Sequence, residues 1–213
     1  MTPPNGLSSL PFDAHPIRTP RLLLRPLTEA DADDVYAYQS LPEVVRYLPW
    51  PLRDREESRE HTFKRAGFTR LENDNDGLIL AVELVGPDGE PGPVIGDLSV
   101  FLESVEHEKI EIGWVFHPDY HGKGYATEAA LAVLELAFLE IGAHRVSAQL
   151  GPENAASIAL CLRLGMRLEA HFIEHEIFKG EWGDLAIYAI LRREWESATD
   201  VAAHAGIAAS RSS

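Results

Sequence analysis

The sequence predicts an α/β fold built on one mixed sheet, and three observations carry that reading. First, β-rich stretches at 78–85, 94–102 and 109–116 follow one another through turn-rich connections, the pattern of an antiparallel meander. Second, the last of these runs into a glycine-bearing loop and then into helical periodicity: Ala126, Ala129, Ala130, Val133, Leu134, Ala137 and Phe138 recur at spacings of three and four. Third, helices precede the meander, and a strand, a short helix and two more strands follow it, which fits helices packed on a single sheet. A chain of 213 residues is long enough for one domain with a full core.

Residues 1–18 carry Pro, Ser and Gly and read as a loose lead-in to a domain spanning 19–196. Arg21 to Arg25 is a short buried strand. Thr28 with Asp31 forms a capping pattern for a helix running to about Ser40, and its acidic first turn suits the helix dipole. Pro42, Pro49 and Pro51 forbid a continuous helix over 42–52. Tyr47 and Trp50 lie in that loop-like segment, where they either line a binding site or fill core. Asp54 with Glu57 caps a second helix expected to reach about Leu71, with Phe63, Ala66 and Gly67 on its packed face. Residues 87–93 form a hairpin-like turn, and Gly142 stops the helix after the glycine loop. His144 to Leu150 is a strand, 152–165 a short helix, and 166–178 and 184–191 are strands joined by a turn at 179–183. Residues 197–213 are Ala- and Ser-rich, without a long amphipathic stripe, and read as a tail.

Composition excludes several functions. The net charge of −15 argues against nucleic-acid binding, which needs a basic face, and is compatible with steering a cationic substrate as well as with plain solubility. No run of about 18 apolar residues is present, so no transmembrane helix is expected. The first residues lack a basic region followed by an apolar stretch, so no signal peptide is expected and the cytoplasm is the expected compartment. Cys161 is the only cysteine, and the nine His residues show no paired metal spacing, so neither an intrachain disulfide nor a metal is expected.

The chemistry concentrates in Gly113 to Glu128. Pro118 ends the strand, Gly122 and Gly124 bracket Lys123, and a helix starts at Tyr125. The first turn of a helix has N–H groups without intrahelical partners, aligned with the positive end of its dipole. Glycines let the backbone approach a bulky anion, and Lys123 adds charge. His121 to Thr127 therefore reads as a pyrophosphate cradle, although a glycine loop alone can equally be a plain strand-to-helix turn. The chain has neither the Gly-x-x-x-x-Gly-Lys-Ser/Thr loop nor Gly-x-Gly-x-x-Gly after a strand.

The stretch His-Gly-Lys-Gly-Tyr-Ala-Thr-Glu-Ala at 121–129 resembles the acetyl-coenzyme A loop of the GNAT superfamily of N-acetyltransferases, whose pattern is Arg/Gln-x-x-Gly-x-Gly/Ala. Gly124 and Ala126 match it; His121 departs from the usual Arg or Gln. The wording is most similar to the RimJ/RimL-type branch, which acetylates protein N-termini and other amines, and Thr19 to Pro26 is similar to that branch's opening. The resemblance implies a mostly antiparallel central sheet that splays open near Val115, with helices on both faces. It places the pantetheine arm of acetyl-coenzyme A in the splay, against backbone groups of Val115, Phe116 and His117, and the phosphates on His121, Gly122, Lys123, Gly124, Tyr125, Ala126 and Thr127. It puts an acceptor-substrate wall near Tyr47 and Trp50, and it is compatible with a homodimer.

The resemblance also gives roles to Asn154, Ser157 and Glu176, and strand geometry adds a rival candidate in Glu111. Asn154, a helix cap on its own chemistry, would bond the pantetheine arm. Ser157 would be the acid for the leaving thiolate, where it otherwise reads as a helix-start hydroxyl; the tyrosine that many members use falls at Cys161 and is absent. Glu176 would be the base, provided burial raises its pKa towards working pH. Glu111, on the face of its strand that carries Gly113 and Val115, is the rival base; either glutamate also reads as a solvated strand residue. Gln149 stands where some relatives carry a further glutamate. The implied reaction is direct acetyl transfer to a primary amine, either a protein N-terminus or a small amine. The alternative is a module that binds acetyl-coenzyme A without turnover.

Overall fold

The computed structural model describes residue 7 and residues 9–198. Ten strands form one sheet: β1 (Phe12–Asp13), β2 (Ile17–Arg18), β3 (Leu22–Pro26), β4 (Thr69–Leu71), β5 (Gly77–Val85), β6 (Pro91–Ser104), β7 (Lys109–Phe116), β8 (Arg145–Leu150), β9 (Arg167–Phe178) and β10 (Glu181–Leu191). The helices include α1 (Ala32–Gln39), α2 (Pro42–Val45), α3 (Arg55–Ala66), α4 (Tyr125–Glu135) and α5 (Ala155–Arg163), and residues 192–198 are helical too. Strand order is β1-β4-β5-β6-β7-β8-β10-β9, and β3, with β2 beside it, also pairs with β5. Every pairing is antiparallel except β7 with β8. Among the described residues no helix is long and apolar enough to cross a membrane.

The sheet carries apolar cores on both faces. Ile110, Ile112 and Phe116 of β7 point into the larger one, against Ala129, Ala130, Val133 and Leu134 of α4. The intervening Val115 packs on the opposite face, against the smaller core that Val35 and Tyr38 of α1 build with Ile79, Ala81 and Val94. This alternation follows from the two-residue period of a strand. The α4 helix continues through a π-helical segment, Leu136–Ile141, and ends at Gly142, whose φ of +94° suits a residue without Cβ.

Four expectations need correction. The stretch expected as a loose lead-in contributes β1 and β2 to the sheet. The second helix stops at Ala66 rather than Leu71, and residues 69–71 form β4 instead. Phe63, expected on its packed face, is exposed, and the buried residues of α3 are Ser58, Thr62 and Arg65. That face is polar because it meets a carboxylate: Arg65 Nη2 lies 2.6 Å from Asp97 Oδ1, and Tyr38 Oη donates to Asp97 Oδ2 at 2.6 Å. The turn between the last two strands shrinks to Lys179 and Gly180, with φ of +52° and +92°, the left-handed pair that a two-residue hairpin requires. Of the expected tail, residues 197–198 are helical and 199–213 lie outside the described residues.

Candidate active site

Proline and two glycines place the loop. Pro118 opens a 3-10 turn, Pro118–Tyr120, and the chain then enters α4 through Gly122 and Gly124, with φ of +73° and +84°. The first helical hydrogen bond of α4 runs from Glu128 N–H to Gly124 O at 3.0 Å, so the N–H groups of Tyr125, Ala126 and Thr127 precede the ladder. They face a cleft of about 330 Å³ lined by residues of the 120–127 loop together with Phe116 and Arg163. A Cβ on Gly122 would meet nothing within 4 Å, so the loop backbone is open to an approaching anion.

The loop's polar side chains hold its shape. His121 Nε2 lies 3.2 Å from Phe116 O, a contact that requires the proton on Nε2. Lys123 Nζ donates to Asp119 O at 2.9 Å and sits 5.2 Å from the Tyr120 ring centroid. Arg163 Nε donates to Thr127 Oγ1 at 3.2 Å. The sequence reading missed Arg163; its only signal was a basic residue in the last turn of α5.

Beside the loop the sheet opens. Strands β7 and β8 pair only at Lys109↔Arg145, Ile110↔Val146 and Glu111↔Ser147, and beyond that point the far edge of β7 has no strand partner among the described residues. The register decides which groups face the opening. His117 N–H donates to Ile95 O at 2.9 Å, so it points at β6. In an antiparallel ladder this orientation recurs every second residue, which directs Val115 and Gly113 to β6 as well. Trp114 therefore presents its N–H and C=O to the opening, and Phe116 its N–H, while the Phe116 carbonyl already accepts from His121. This corrects the expectation that the backbone of Val115 and His117 would pair with a bound pantetheine arm: their N–H groups are spent within the sheet.

The candidates for proton transfer fall on different sides of this opening. Ser157 accepts a hydrogen bond from Trp114 Nε1–H at 3.2 Å, and its own N–H donates to Asn154 Oδ1 at 3.1 Å. Asn154 is thus an N-cap of α5, and Ser157 stands directly against β7. Glu111 shares the opposite face with Val115 and is half-buried. Burial, and then the nearby Glu103 charge, push its carboxyl above the usual range, while the Gln149 Nε2–H bond at 2.9 Å opposes them. Glu176 lies exposed on the edge strand β9 opposite Gly183, and its carboxylate makes no hydrogen bond or ion pair with the described residues. The fold therefore sets Ser157 against β7, which itself carries Glu111, and leaves Glu176 in solvent.

On the Val115 face, Trp50 is half-buried in a cluster, 4.8 Å from the His61 ring and within 5.0 and 6.0 Å of the Arg53 and Arg65 guanidinium carbons. Arg65 reaches Asp97, which pairs with Val115. Tyr47 carries the Arg46 guanidinium 5.3 Å from its ring. Cys161 is buried, and burial pushes its thiol up to about 12, far from a nucleophile. Among the described residues no group of three or more His, Cys, Asp or Glu could hold a metal ion.

This geometry matches known proteins. The acetyltransferase (GNAT) domain model matches residues 21–167. The Bacillus subtilis (strain 168) relative "Uncharacterized N-acetyltransferase YnaD" is 37% identical over 185 residues, covering 84% of this chain and 98% of its own. The GNAT-family acetyltransferase structure from Bacillus anthracis superposes with a TM-score of 0.73 at 34% identity, covering 84% of this chain and 99% of that one. The spermidine N-acetyltransferase of Vibrio cholerae, solved with CoA and spermine, shares the fold at 20% identity and a TM-score of 0.67, covering 83% and 99%. An open-edged strand running into a glycine-capped helix, in a chain matched over nearly the full length of these relatives, identifies the protein: it belongs to the GNAT family of acetyltransferases and is an N-acetyltransferase.

Proposed function

We propose that the chain transfers the acetyl group of acetyl-coenzyme A directly to a primary amine, with Glu111 as base and Ser157 as hydrogen-bond donor to the departing thiol. The observation that carries this reading is the open edge of β7 leading into the first turn of α4. Bound there, acetyl-coenzyme A supplies an acetyl thioester. Its arm suits the outward backbone groups of Trp114 and Phe116, as an added strand would, and its diphosphate suits the N–H groups of Tyr125, Ala126 and Thr127, with Gly122, Lys123 and Arg163 beside them. The outward N–H groups of β7 are the donors for charge developing on the acetyl oxygen. An amine entering from the Val115 face, past Trp50, meets Glu111, which takes its proton. Thiol departure is on the α5 side, where Trp114 occupies an acceptor site of Ser157 Oγ and leaves its O–H free to donate.

Geometry favours Glu111 over Glu176 as base, because a raised carboxyl beside the cofactor strand is matched to its task better than a solvated one. The motif at 121–129 supports the RimJ/RimL-type branch and hence a protein N-terminus as acceptor; the Vibrio cholerae neighbour supports a small polyamine. Thiol release with basic peptides, polyamines and aminoglycosides tests both points. Glu111→Gln is expected to lower kcat by roughly 10²–10⁴-fold with coenzyme A binding retained, the range for a lost general base. In the wild type kcat/KM falls as pH drops through the Glu111 pKa, above the ordinary carboxylate range, because only the ionised form takes a proton. Loss in Glu176→Gln instead would move the base to the hairpin, and binding without turnover on any amine would favour a non-catalytic module.

A further inference from the structure

The helix offered to the diphosphate carries a carboxylate in its own first turn. Glu128 follows the three free N–H groups, and its side chain is only 15% exposed, so water screens its charge poorly. A negative charge there stabilises the helix start but repels a bound anion. The structure answers it from the other end of the chain. Arg21 Nε donates to Glu128 Oε2 at 2.7 Å, while the Arg21 backbone N–H and Thr19 Oγ1 donate to Oε1 at 2.9 and 2.7 Å.

The same guanidinium grips the loop. Arg21 Nη1 donates to Lys123 O at 2.9 Å, and its central carbon lies 4.6 Å from the Tyr125 ring centroid. Nη2 makes no hydrogen bond to the described residues and lies 3.2 Å from where a Cβ on Gly124 would stand. One residue thus spans the cradle from Lys123 to Glu128, with one nitrogen left over at its floor.

We propose that Arg21 is the positioning residue of the cofactor loop: it cancels the Glu128 charge and pins the backbone between Lys123 and Tyr125, so that diphosphate binding depends on the opening strand of the chain. The inference rests on the acetyl-coenzyme A reading of the cleft. Thr19 and Arg21 are then part of the donor site although they lie more than a hundred positions from it in sequence.

The test is a charge-cancelling cycle read by calorimetric binding of coenzyme A to wild type, Arg21→Gln, Glu128→Gln and Arg21→Gln/Glu128→Gln, with circular dichroism to check each fold. Arg21→Gln leaves Glu128 without its counter-charge and is expected to weaken coenzyme A by about fivefold, the upper scale for a charge pair with one solvent-exposed partner. The double variant removes both charges and is expected to recover most of that loss. In turnover, the Arg21→Gln defect is expected in KM for acetyl-coenzyme A rather than in kcat. A double variant that binds no better than Arg21→Gln would overturn the proposal, as would an Arg21→Gln variant that binds like wild type. A wild type that fails to bind coenzyme A would instead sink the functional reading itself.

Discussion

His61 shows how a single titrating group can report on the cluster around Trp50. Arg53 Nη1 lies 3.3 Å from His61 Nδ1, and a guanidinium only donates, so Nδ1 accepts and the proton resides on Nε2. Burial, then the Arg53 and Arg65 charges, lower the imidazole pKa to about 4 from its ordinary 6.5. Between those values the unfolded chain binds a proton that the folded chain refuses. Stability is therefore full above pH 6.5 and is lost as pH falls towards 4. Denaturant midpoints measured across this window are expected to drop in wild type, and His61→Gln is expected to flatten the profile; an unchanged slope in the variant would assign the loss to other groups. At this scale the sequence was only partly readable. Glu111 and Trp50 could be picked by residue type and place and Ser157 only through the family resemblance, but which glutamate is half-buried depends on strands β7 and β8 meeting, and nothing near Glu176 in sequence says that its strand is an exposed edge.

At the scale of elements, β7, the glycine loop and the first half of α4 were legible because proline, glycine and apolar periodicity are local signals. The start of α3 was legible as well, from its Asp54–Glu57 capping box, but its packed face was not, since the buried residues are Ser58, Thr62 and Arg65 rather than an apolar stripe. The partner that makes this face buriable is Asp97, at 1% exposure, and it lies on a strand some thirty residues away. Such a pair is a weak source of net stability but costly to break from one side, because the remaining charge is stranded. Asp97→Ala leaves Arg65 and the Tyr38 hydroxyl without their partner and is expected to destabilise by about 3–5 kcal/mol in equilibrium unfolding. Replacing both members, Asp97→Ala with Arg65→Met, is expected to cost less than the single change. A double variant as unstable as the sum of the singles would show that the pair adds no coupling.

At the scale of the molecule, the opening between β7 and β8 divides the sheet into two wings, joined along the strands by three residue pairs. A meander and a strand–helix–strand are each visible in sequence, but the length of their shared border is not, because it is set by how far two non-adjacent segments stay in register. The parity of β7 is hidden for the same reason: it is fixed by the His117–Ile95 bond to β6, and shifting that register by one residue would exchange the outward and inward sets. Native-state hydrogen exchange reads this parity directly. In the free protein the amides of Val115 and His117, bonded to β6, are expected to be protected, and those of Trp114 and Phe116 to exchange faster. Coenzyme A is expected to slow Trp114 and Phe116 about tenfold or more, as an added strand satisfies their backbone, with little change at Val115 and His117. Protection gained at Val115 and His117 instead would mean that the arm meets the other set of β7 groups, which requires the strand to shift against β6 when it binds.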